Sequence, residues 1–301
     1  MQVKTFALRG NENNALTVYI QDPIRPSQRR PILISCPGGG FLDCSPNEGD
    51  PVAQAFMRLG YHGAVLTYTR AASSAEPSWP NALYDLAAGV RIIREHAEGW
   101  GVSQVVVCGF SAGGHLATSY GNEWAGELFA DADEPADLRR PDAVVAGYPI
   151  LDYRGTRAQI ETLERSVSTA GVSMEEVLGK QGESVGLLKF LQATNHAFLG
   201  DAELSDELEA RVSPICNVND ATPPTFLWTT FADPIVDPTK ALEYAKTLRI
   251  HDVPCELHVF MNGTHGLSTA DRAAAKKDDY IDSHIAHWPQ LAAEWLDMAL
   301  D

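Results

Sequence analysis

Val105-Val-Val-Cys-Gly-Phe-Ser-Ala-Gly-Gly-His115 decides how this chain folds. The four apolar residues from Val105 to Cys108 form the short unbroken run of a central parallel strand, and the small residues after Ser111 open a helix. Between them lies G-x-S-x-G, which sets Ser111 on a sharp strand-to-helix turn. Gly109 and Gly113 are required there because a larger side chain would collide with the neighbouring backbone. The turn lifts Ser111 clear of the sheet and leaves the Ala112 N–H at the positive end of the helix, where it can stabilise charge on a carbonyl oxygen. Ser111 thus reads as a nucleophile and Ala112 as an oxyanion donor. So short a motif also arises by chance in glycine-rich chains; the apolar strand before it favours the chemical reading.

Upstream, Pro31-Ile-Leu-Ile-Ser35 is a second buried strand, and it ends in Cys36-Pro-Gly-Gly-Gly-Phe41. Three glycines after a strand are either a flexible turn or a loop whose missing Cβ atoms let backbone N–H groups approach a substrate oxygen. In the second reading Gly39 and Gly40 are donors beside Ala112. Phe41 and Phe110, next to the glycines and the serine, are candidates to contact substrate.

A serine hydroxyl is a weak nucleophile and needs a base within hydrogen-bond reach, itself oriented by an acid. Of nine histidines, His265 is best placed. It follows the last predicted strand, Glu256 to Met261, and lies between Gly263 and Gly266 on a loop at the carboxyl edge of the sheet, where sites form. His115, four residues past Ser111, points along the elbow helix, and His258 lies within a strand; both read as structural. For the acid, Ala232-Asp-Pro-Ile-Val-Asp237 follows the strand ending at Thr230. Asp233 belongs to the loop, whereas Asp237 precedes Pro238 and is better placed to cap the next helix, so Asp233 is the choice. His284 and His287 share a helix face but have no third ligand nearby, and no metal site is expected.

Strands also read at 3–8, 15–20, 63–68 and 142–148, and helices at 50–59, from Trp79-Pro80 to about 98, 112–122, 237–249 and 285–300. The first two strands form an antiparallel edge pair. The remaining alternation predicts a doubly wound, mostly parallel α/β sheet with helices on both faces and right-handed crossovers. From Leu151 to Arg211 the periodicity is broken by Gly155, Gly171, Gly179, Gly182, Gly186 and Gly200. An inserted helical cap over the site is expected across 151–211, in an otherwise single domain spanning 1–301. The charged stretch Asp131 to Arg140 is expected to be a solvated loop.

With 301 residues and 45% hydrophobic content, the chain can bury one large core. A net charge of −17 opposes binding to nucleic acid or an anionic membrane. Five cysteines without a C-x-x-C pair indicate neither a disulfide framework nor a zinc cluster and fit a reducing cytosol. The first residues lack an apolar signal core and no run approaches membrane-spanning length, so a soluble cytoplasmic protein is expected. A homo-oligomer is compatible with the sequence.

Together Cys36–Phe41, Cys108-Gly-Phe-Ser-Ala-Gly-Gly-His-Leu116, Pro223-Pro-Thr-Phe-Leu-Trp228, Ala232–Val236, Glu256–Phe260 and Gly263-Thr-His-Gly-Leu267 resemble, in order, the blocks of bacterial α/β-hydrolase esterases. The group is that of the acetyl esterases and acetyl-xylan-esterase-like proteins, related to the hormone-sensitive-lipase branch. Ser111, Asp233 and His265 fall in the chain order of that fold, and the glycine loop lies upstream of the elbow where the fold places it. Two departures stand out: Pro37 where related lipases carry His, and Phe231-Ala232 where more polar residues are common. The resemblance implies hydrolysis of small-molecule carboxylic esters with short acyl groups, carbohydrate esters among them. Base, nucleophile and oxyanion donors would come from the chain itself, so no cofactor is expected. The rivals are a hydrolase of peptides or lactones using the same three residues, and a catalytically silent binding protein of the same fold.

Overall fold

A computed structural model describes residues 1–169 and 180–300. Residues 170–179, which include Gly171 and Gly179 of the expected insertion, lie outside the described residues. Eight strands form one sheet: β1 (Gln2–Leu8), β2 (Asn11–Ile20), β3 (Arg30–Cys36), β4 (His62–Thr67), β5 (Val102–Phe110), β6 (Ala143–Gly147), β7 (Thr225–Thr230) and β8 (Cys255–Phe260). Their order is β1-β2-β4-β3-β5-β6-β7-β8. The β1/β2 and β2/β4 pairs are antiparallel and the other five are parallel.

Side-chain alternation along the strands explains the layers. On β5, Val105 and Val107 point to one face and Val106, Cys108 and Phe110 to the other; both sets are buried, as a central parallel strand requires. The first face is covered by α2 (Ser78–Trp100), α3 (Ala112–Glu123) and α7 (Thr239–Ile250), through residues such as Leu86, Val90, Leu116 and Leu248. The second is covered by α1 (Asp50–Arg58) and α8 (Trp288–Leu300), through Phe56, Trp288, Ala292 and Leu296. The doubly wound α/β sheet read from the sequence is the observed fold.

Between β6 and β7 the chain forms α4 (Thr156–Thr169), α5 (Lys180–Leu199) and α6 (Asp206–Arg211). These helices fall in the stretch expected to be inserted. Nearby, Asp131 to Arg140 is largely exposed, as expected, with one exception. Arg139 is buried, pairs with Glu134 at 3.0 Å and lays its guanidinium over the Phe129 ring. A charge pair and an aromatic face together offset the desolvation of the cation.

Candidate active site

The elbow follows from backbone collisions. A Cβ on Gly109 would stand 2.0 Å from the Gly113 carbonyl oxygen, and one on Gly113 would stand 2.0 Å from that of Cys36. With both absent, β5 runs into α3 through Ser111 at φ 53°, ψ −118°, a strained conformation for a residue with a side chain. The turn is held by Ser111 N–H donating to Gly147 O at 3.1 Å and by His115 N–H donating to Ser111 O at 2.9 Å.

His265, on the loop after β8, brings Nε2 to 2.9 Å from Ser111 Oγ, and its Nδ1 lies 2.7 Å from Asp233 Oδ2. A carboxylate only accepts, so Nδ1 carries the proton and Nε2 is left to accept from the serine hydroxyl. The other oxygen of Asp233 accepts from the N–H groups of Ile235 at 2.8 Å and Val236 at 3.0 Å, which fixes the carboxylate in a fully covered position. Asp237 instead accepts from Thr239 N–H at 2.9 Å and Thr239 Oγ1 at 2.7 Å, at the entrance to α7.

Opposite the serine, Gly39 adopts φ +124°, and a Cβ there would meet Asp43 O at 2.1 Å. Gly40 follows at φ +62°. Among the described residues the N–H groups of Gly39, Gly40 and Ala112 donate to no backbone or side-chain acceptor. Unpaired backbone donors beside a serine are what an oxyanion requires, since burying them without a partner is otherwise unfavourable.

Gly39, Gly40, Ser111 and His265 open on a cavity of about 790 Å³. Its apolar wall includes Phe41, Ile150, Phe190 and Leu191; its polar wall includes Asp152, Arg154, Asp237 and Lys240. Asp152 ties the polar wall together, bonded to Arg154 at 2.8 Å and Lys240 at 3.3 Å. The helices between β6 and β7 reach the cavity through Thr156, Gln159, Phe190, Leu191, Thr194 and Asn195.

Phe41 therefore faces the cavity, but Phe110 does not. Phe110 shares the parity of Val106 and Cys108, so its ring turns away from the site into the layer beneath the sheet, against Tyr148 and Trp288. Its candidacy for substrate contact is withdrawn. His115 is buried among Phe41, Tyr153 and Phe198 and donates to Val212 O at 2.7 Å; loss of hydration pushes its pKa down to about 4, so it is neutral at physiological pH. His258 pairs with Glu256 at 2.7 Å on β8. Among the described residues no group of three or more His, Cys, Asp or Glu could hold a metal ion, and no helix is long and apolar enough to cross a membrane.

One site residue has no signal in the sequence. Glu48, in the short turn Pro46–Glu48, is 2% exposed, lines the cavity and accepts from Gly38 N–H at 2.8 Å and Tyr148 Oη at 2.6 Å. Burial holds its carboxyl above the usual range.

An open, mostly parallel eight-stranded sheet with Ser111 on the β5–α3 elbow, His265 after the last strand and Asp233 after β7 defines an α/β-hydrolase. The chain belongs to the BD-FAE family, whose model matches residues 18–248. It is 28% identical over 246 residues to endo-1,4-beta-xylanase B of Butyrivibrio fibrisolvens, an alignment covering 81% of this chain and 33% of that protein. This chain spans about a quarter to a half of the length of the curated relatives it matches. Among solved structures it resembles the carboxylesterase Cest-2923 of Lactobacillus plantarum, with a TM-score of 0.76 and 27% identity over 99% of this chain and 98% of the other. It also resembles an acetyl ester-xyloside bifunctional hydrolase of Caldicellulosiruptor lactoaceticus, with a TM-score of 0.72 and 26% identity over 98% and 96% of the two chains.

Proposed function

We propose that the protein is a serine esterase that cleaves short-chain carboxylic esters, with acetylated carbohydrates as the substrate class. The observation that carries this reading is the continuous hydrogen-bonded path from Ser111 through His265 to Asp233, facing the unpartnered amides of Gly39, Gly40 and Ala112. His265 Nε2 takes the Ser111 proton while Oγ attacks the ester carbonyl carbon, and the three amides receive the oxyanion. As the tetrahedral species collapses, His265 returns that proton to the leaving alkoxide. Water then attacks the acyl-enzyme by the same route, with His265 again as base, and releases the acid. The steps need no metal or organic cofactor, because nucleophile, base and donors belong to the chain.

The acyl size follows from the wall beside the oxyanion loop. A Cβ on Gly40 would stand 2.7 Å from Thr194 Cγ2 and 3.6 Å from the Phe190 ring, so α5 lies directly against the loop as a cap. A long acyl chain entering on that side would meet Phe190 and Thr194. The Asp152, Arg154 and Lys240 wall supplies hydrogen-bonding groups suited to a hydroxylated alcohol. The names borne by the xylanase relative and the bifunctional hydrolase accord with a sugar-ester substrate.

A panel of p-nitrophenyl esters from acetate to decanoate, run beside acetylated xylan, tests the reading; activity should be greatest at acetate and present on the polysaccharide. No ester turnover and no labelling by a fluorophosphonate probe would refute it. Within the same panel, Phe190→Ala should raise kcat/KM for the hexanoate relative to the acetate by about 10-fold, the scale set by relieving a methylene-sized restriction. An unchanged ratio would remove α5 from the acyl wall.

A further inference from the structure

Glu48 is a buried acid for which the steps above have no use. Its two carboxylate oxygens join parts of the site that are far apart in sequence. Oε2 accepts from Gly38 N–H at 2.8 Å, immediately before the two candidate oxyanion donors. Oε1 accepts from Tyr148 Oη at 2.6 Å, and Tyr148 Oη in turn accepts from Ser268 N–H at 2.9 Å on the loop that carries His265. Neighbouring Asn47 ties the same loop twice: its Nδ2 donates to Gly266 O at 3.3 Å, and its carbonyl accepts from Ser268 Oγ at 2.5 Å. The Glu48 carbonyl itself is anchored by Ser35 Oγ at 2.6 Å, at the end of β3. The contact is tight, since a Cβ on Gly38 would stand 2.9 Å from both Glu48 Oε2 and Ser111 Cβ.

Among the described residues Glu48 forms no ion pair; the charges it feels are those of Lys276 and His265. A lone buried carboxylate opposes folding, and a neutral isostere would fill the same space. Its presence calls for a reason other than stability. Resting on the esterase reading, we propose that Glu48 is a positioning residue that holds the oxyanion loop and the histidine loop in register and supplies negative charge beside the imidazolium formed when His265 takes the serine proton. The counter-charge acts only as the imidazolium forms, and the register matters where donors must meet the developing oxyanion, so both act on kcat rather than on ground-state binding.

Glu48→Gln separates this role from a scaffolding one. The glutamine carbonyl can still accept from Gly38 N–H and its amide can donate to Tyr148, but the bond to the loop is no longer charge-assisted and the counter-charge is gone. Turnover of p-nitrophenyl acetate is expected to fall on the order of 10- to 100-fold with KM within about twofold, the scale of a small misplacement of reacting groups. Fluorophosphonate labelling should slow in parallel.

Thermal stability should move the other way. Burial raises the Glu48 pKa in the folded state above its unfolded value. The stability linked to its protonation is therefore fully present below the ordinary carboxyl range and is lost as pH rises through the raised folded value. At pH 8 the ionised wild-type carboxylate weighs against folding, so the variant should melt at or above the wild type there, with a smaller advantage at pH 4. Tyr148→Phe, which keeps the ring packed 4.9 Å from His265 but removes the link to Ser268, should lower kcat in the same direction by a lesser factor. Unchanged kcat in Glu48→Gln beside an active wild type would overturn the positioning role alone. A variant that loses kcat only in proportion to a lowered melting temperature would reduce Glu48 to scaffolding and overturn it too. A wild type that neither hydrolyses esters nor labels would overturn the esterase reading and this inference with it.

Discussion

Ser111→Ala is expected to lower turnover of p-nitrophenyl acetate by at least about 10⁴-fold and to abolish labelling by a fluorophosphonate probe, while leaving the protein folded. The size of the effect follows from the proposed role of the hydroxyl as the group that bonds the acyl carbon, and among the described residues only Ser111 Oγ stands at hydrogen-bond distance from His265 Nε2. The fold should tolerate the change because the Ser111 side chain makes one hydrogen bond, to His265, and its loss leaves that nitrogen facing a cavity that water can enter. The strained φ of 53° is imposed by the elbow, and alanine bears it at about the same cost as serine. Circular dichroism and a melting curve would check the fold beside the kinetics. Residual turnover within tenfold of the wild type would remove Ser111 as the nucleophile, whatever its position at the head of α3.

Much of this architecture can be read in the sequence because it rests on local rules. The elbow needs glycine at 109 and 113 for reasons of backbone contact alone, and the hydrophobic run of β5 marks a strand buried on both faces. His265 and the loop carrying Asp233 were legible because each follows a strand at the same sheet edge, so topology rather than distance in sequence brings them to Ser111. What escaped has a common character. Phe110 sits next to the serine in sequence, yet strand alternation turns it to the opposite layer with Trp288, a parity already implied by Val106 and Cys108. Arg139 looked solvated because its partners, Glu134 and the Phe129 ring, follow no periodic pattern. Glu48 was hidden because its bonds follow no sequence pattern: one reaches back to Gly38, another to Tyr148 one hundred residues away, and its neighbour Asn47 reaches the loop beyond β8. A single acid in a proline-flanked turn announces nothing of that kind.

The two aspartates of the β7 loop provide the sharper test, because they stand four residues apart, Asp237 lines the cavity and Asp233 alone meets the imidazole. Asp233→Asn is expected to lower kcat by about 10⁴-fold with little change in KM, since the amide would reverse the proton arrangement on His265. The reason lies in the bonds on the other oxygen. Asp233 Oδ1 accepts from Ile235 and Val236 N–H, so the asparagine carbonyl oxygen would stay there and the NH₂ group would face His265 Nδ1. Nδ1 would then have to accept, the ring proton would move to Nε2, and Nε2 could no longer receive a proton from Ser111. Asp237→Asn predicts a contrasting result. Its oxygen accepts from the Thr239 backbone and hydroxyl, a capping role that asparagine fills nearly as well as aspartate, so kcat should stay within about twofold. Parallel kinetics on the two variants, with melting curves to show that both are folded, would separate them. If Asp237→Asn rather than Asp233→Asn removed turnover, the acid would have to reach His265 through a loop arrangement different from the one in which Oδ2 of Asp233 lies 2.7 Å from Nδ1.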